Sequence, residues 1–104
     1  NIKQAQLLVD VGNALERLRN NKDFKLVIAQ GYLEQESIRL VHLKSDVNMQ
    51  TVDRQASILK QIDAIGTLNQ YFQTVYQKAS LASKAIEADE AERDELLSED
   101  LNNV

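Results

Sequence analysis

A chain of 104 residues leaves room for one domain and no separate catalytic and binding modules. Its 43% hydrophobic and 27% charged residues are those of a folded soluble protein, and with no proline and three glycines it lacks the turn punctuation an all-β chain requires. The absence of cysteine excludes disulfides, thiolate metal sites and thiol nucleophiles together, and the formal charge of −4 is spread unevenly. The expectation is a single all-α domain over 1–104: a helical hairpin or three-helix bundle with a long C-terminal helix, oligomeric, and holding neither cofactor nor metal.

The first periodic signal is Leu8, Val11, Leu15 and Leu18, with Ala5 one turn earlier, which predicts a helix over about 2–19. Asn20, Asn21 and Asp23 then offer side-chain oxygens that compete with helical bonding and can cap the next helix, so a short turn is predicted there. A second helix is predicted over about 23–43. At about 100° per residue Phe24, Ile28, Gly31, Ile38 and His42 fall on one side, and Leu26, Ala29, Leu33 and Leu40 on nearly the opposite one. Such a helix is expected to have neighbours on both sides.

Residues 44–50 break the period and read as a loop, after which Thr51 is placed as an N-cap and Asp53 favours the positive end of the helix dipole. The third helix is predicted over about 52–97. Ile58, Ile65, Leu68, Phe72, Val75, Ala79, Ala82 and Ile86 occupy coiled-coil positions a and d, with Gln61 in the one polar slot. Gly66 marks either a close helix approach or a kink. At ~1.5 Å per residue the third helix spans near 70 Å against roughly 30 Å for the second, which covers it only to about Tyr76. Ala79, Ala82, Ile86 and the acidic end are therefore expected to project and to need another chain.

Between Glu87 and Asp100 eight acids face one base, Arg93, a net of −7, whereas residues 1–86 carry +3. This run reads as a solvated helix end with Arg93 pairing to Asp89, or as an acidic surface that imitates nucleic-acid phosphates. The basic cluster Arg17, Arg19, Lys22 and Lys25 is interrupted by Glu16 and Asp23, so nucleic acid is not an expected partner. Tyr71 and Tyr76 flank Phe72 in the seam, and each can anchor a partner by its ring. The partner-binding candidates are thus Tyr71, Tyr76, Ala79, Ala82, Ile86, Glu90 and Asp94.

Catalytic constellations are not assembled by this sequence. His42 is the sole imidazole, and the glutamate that a di-iron bundle places three residues before its histidine is Arg39 here. The serines sit in no strand–turn–helix elbow and the glycines form no phosphate loop, so a non-enzymatic protein is expected. No apolar run exceeds Leu26 to Ala29, against roughly 20 residues for a bilayer crossing, and no membrane association is expected. The chain opens at Asn1 without methionine or signal pattern, which reads as a trimmed product.

The stretch Asp23-Phe24-Lys25-Leu26-Val27-Ile28, followed by Gly31-Tyr32, Arg39-Leu40-Val41, Leu43-Lys44, Asn48-Met49-Gln50-Thr51 and Ile62-Asp63-Ala64-Ile65-Gly66, resembles small helical proteins encoded by tailed bacteriophages. With Tyr71-Phe72 and the acidic end, the resemblance covers about residues 23–97. It implies a phage protein located in the virion or host cytoplasm, with protein partners and no catalytic residue to carry over. The expected role is a structural or assembly component of the head, neck or scaffold. The alternative is an inhibitor of a host nucleic-acid enzyme or defence protein that uses its acidic helix as a nucleic-acid mimic.

Overall fold

Helix α1 occupies Ile2–Arg19 in the computed structural model, which describes residues 1–102. It stops where predicted. The Asn20 amide donates to the Glu16 carbonyl, and Asn21 Oδ1 accepts from the backbone N–H groups of Asp23 and Phe24 at 2.9 and 3.0 Å, so one turn ends a helix and caps the next. The next helical run comprises α2 (Lys22–Phe24), a π-helical segment (Lys25–Gln35) and α3 (Glu36–Ser45). A 3₁₀ turn (Val47–Met49) leads to α4 (Val52–Asn102), which begins at the predicted residue and runs past the predicted end at 97. The fold is all-α with a long C-terminal helix, and no strand occurs among the described residues. The described chain divides into two compact units, Leu15–Gln73 and a second made of Asn1–Ala14 with the chain from Thr74 onward; the domain expected over 1–104 extends beyond the described residues at 103 and 104.

In the Leu15–Gln73 unit the π-helical winding resolves the two-sided pattern of the second helix. The Glu36 N–H donates to the carbonyl of Gly31, five residues back, which winds the chain by roughly 80° per residue instead of 100°. Over the 11 residues of the segment the lag accumulates to about 200°, enough to bring Phe24 and Leu40 onto the same side. Both then face α4. Leu40 is fully buried with Ile58 and Ile65, and Tyr32, Leu33, Leu43, Met49 and Ile62 pack around them. The Phe24 ring meets Phe72 with centroids 6.0 Å apart, tilted by 58°. The expectation that Phe24 and Leu40 lie on opposite sides is corrected: within this unit both serve one partner helix, while Leu26 and Ile38 are exposed. The seam itself differs by one residue at the predicted polar slot, since Ile62 is half-buried and Gln61 exposed. There the helix steps by four and then three residues from Ile58.

Side-chain amides hold the connection into α4. Gln55 donates to the carbonyls of Lys44 and Met49 at 2.9 and 2.8 Å, Gln50 donates to those of Lys44 and Asp46, and Asp46 accepts from the Asn48 N–H. Carbonyls at the end of α3 that lack helical partners are satisfied in this way. Thr51 Oγ1 accepts from the Arg54 N–H at 3.3 Å, the predicted N-cap.

In the other unit, residues of α1 pack on α4. Val75 and Ala82 are buried, and Ala79, Ile86 and Asp89 are half-buried. On α1 Gly12 is buried, with Ala5 and Val9 half-buried on the same side. A side chain at Gly12 would overlap Ala79 Cβ, so the helices approach at backbone distance there. The expected overhang is thereby corrected for Ala79, Ala82 and Ile86, while the acidic end from Glu90 is exposed as expected. The length comparison set α4 against the second helix alone, whereas α1 supplies the cover for the seam beyond Tyr76. Close approach occurs at Gly12 and not at Gly66, where α4 continues unbroken and nothing lies within 4 Å of a would-be side chain.

Candidate interaction surface

The residues singled out for partner binding separate into three groups. Ala82 is buried, and Ala79 and Ile86 are half-buried, so these three lie in the contact with α1. Tyr76 is half-buried, while Tyr71 is 59% exposed and leans against Phe72 with centroids 6.3 Å apart. Glu90 and Asp94 are exposed. So is every described residue beyond them: from Glu90 to Asn102 α4 has no side chain in the interior, and Leu96, Leu97 and Leu101 stand in solvent with the acids.

A second stripe runs beside the packed seam. Lys78, Leu81, Ala85, Ala88 and Glu92 recur at spacings of three and four, and all five are exposed. Leu81, at 68% exposure, shares a shallow groove with Lys78, Ala82 and Leu8 of α1. A continuation of that side carries Ala85 and Ile86 beside Ile2 and Ala5. On α1 itself Leu7 and Val11 are exposed one turn apart. The seam periodicity masks this stripe in the sequence, although Leu81, a large apolar residue one position off the seam, is its visible signal.

Charge on this part of α4 is graded along the helix. Lys78 and Lys84 precede the acids, and Arg93 reaches back one turn to Asp89, with Nε 3.3 Å from Oδ2. That carboxylate oxygen is shut off from solvent and has the guanidinium as its counter-charge. Elsewhere Arg39 grips Glu36 through Nε and a terminal nitrogen, and this hydrogen bonding, ahead of the plain charge attraction, holds the Glu36 carboxyl below its ordinary value and the Arg39 guanidinium above its own.

His42 is exposed beside Ser37, Ile38 and Val41. Ser37 and Ser45 turn their hydroxyls to the carbonyls of Leu33 and Val41, four residues back on the helix. Among the described residues no group of three or more His, Cys, Asp or Glu side chains converges as a metal site, and no helix is long and apolar enough to cross a membrane. Arg17, Arg19, Lys22 and Lys25 are exposed around the first turn. No protein-family model matches the chain, and neither a curated protein nor a solved structure matches it.

Proposed function

We propose that this chain is a non-enzymatic assembly protein acting through helix–helix contacts and, on the sequence resemblance, a structural or scaffold-associated component of a tailed-phage particle. The observation that supports assembly is the large apolar side chains left exposed on both partners of one helix pair: Leu7 and Val11, one turn apart on α1, and Leu81 on α4. Surfaces of this kind, rimmed by charge, are where soluble helical proteins take partners. The place of action is the virion or the host cytoplasm. Quantitative mass spectrometry of purified particles is expected to find the chain at a fixed copy number per particle; its absence from particles refutes the proposal.

The exposure of every described residue from Glu90 onward favours one second reading, an inhibitor that offers an acidic helix to a basic groove. That reading expects the protein to retain a host nucleic-acid enzyme at low salt and release it as salt rises. Retention unaffected by salt would count against it.

A further inference from the structure

We infer that the exposed stripe of α4 between Thr74 and Leu96 pairs with the same stripe of a second copy of this chain, antiparallel, about a two-fold axis near Ala85. The inference rests on the assembly reading and names its partner. Its basis is a stripe that obeys the same three-and-four spacing as the packed seam but lies one residue before it, so that α1 covers the seam and leaves Lys78, Leu81, Ala85, Ala88 and Glu92 exposed. Leu8, partly exposed in the groove beside Leu81, broadens the apolar strip.

Charge selects both the occupant and the direction. A parallel pair would set Lys78 against Lys78 and Glu92 against Glu92, with the two acidic ends side by side. An antiparallel pair centred near Ala85 carries Lys78 of each copy alongside Glu92 and Glu95 of the other, twice by symmetry, and separates the acidic ends. One face therefore holds both halves of each ion pair, which is the complementarity of a surface for itself. Size agrees with charge, because Ala85 lies at the axis where the backbones come closest and Ala88 offers the small residue against Leu81. The strip is ~34 Å long and about one helix diameter, ~10 Å, wide, roughly 700 Å² over the two copies, which is below the range of stable interfaces, so weak association that rises with concentration is expected.

The native chain has no cysteine, so single cysteines report neighbours without background. Full-length Lys78→Cys and Glu92→Cys proteins are mixed in equal amounts and mildly oxidised, with Ala85→Cys and the exposed position Lys60→Cys treated alone. The expected result is a 78–92 cross-linked product in clear excess over 78–78 and 92–92, and Ala85→Cys linking at least tenfold faster than Lys60→Cys. Excess 78–78 and 92–92 products, a statistical mixture, or equal rates at 85 and 60 overturn the inference. Failure here leaves the assembly reading standing if the chain is found in purified particles; absence from particles removes that reading whatever the cross-links show.

Discussion

Adding one methyl group at Gly12 places a new carbon inside the volume of Ala79 Cβ, and neither atom can rotate away, so the helices must part. Gly12→Ala is expected to cost ~1–3 kcal/mol in urea unfolding followed by circular dichroism, and Gly12→Ala with Ala79→Gly to recover most of it. A neutral single variant would contradict the close approach. Gly66 is the opposite case: with open space around it, Gly66→Ala is expected to add ~0.5–1 kcal/mol by helix propensity alone. The Glu36 carboxyl, lowered chiefly by its Arg39 hydrogen bond, contributes stability above its ordinary value of 4.5 that is lost as pH falls through its folded value. The stability difference between the native chain and Glu36→Gln is therefore expected to shrink below that pH, and a difference that grew on acidification would contradict the sign. Asn21 and Thr51 were legible as caps because capping is local chemistry. Gln55 was not, since the carbonyls it satisfies belong to the end of another helix and to the turn.

The three main helical runs were readable from apolar spacing, with α1 and the start of α4 found at the predicted residues. The second run misled for a specific reason. The α-helical angle does not hold through it, and 11 π-wound residues turn everything before them by about half a revolution relative to everything after. Burial of Phe24 and Leu40 against one helix offsets the poorer winding. This gives a direct test within the element: Leu40→Ala is expected to cost ~2–5 kcal/mol and Phe24→Ala ~3 kcal/mol, while Ile38→Ala, on a side chain 47% exposed, costs under ~1. Uniform α-helix would place Phe24 with Ile38 and opposite Leu40, and a shared response of Phe24 and Ile38 would support that winding instead. The seam of α4 was also legible apart from the step at Ile62, but what covers its later part was not, because periodicity names a face and not its partner.

Across the chain the net charge changes sign, from +3 over residues 1–86 to −7 over 87–100, and every acid of that run except the half-buried Asp89 is exposed. The assignment of the seam to α1 changes what substitutions there report. Val75→Asp and Ala82→Asp both put a carboxylate into the packed seam and are both expected to unfold the protein, so neither is a probe of assembly. Lys78 is such a probe, being exposed and outside the seam. The decisive experiment is light scattering across concentration on the native chain, Lys78→Glu, and Lys78→Glu with Glu92→Lys. The native mass is expected to rise from 11.8 kDa toward twice that value, the single variant to stay at the monomer, and the double exchange to restore the rise. A native chain that holds the monomer mass at the highest concentration reached, or three proteins with one common mass curve, would contradict self-assembly through this face.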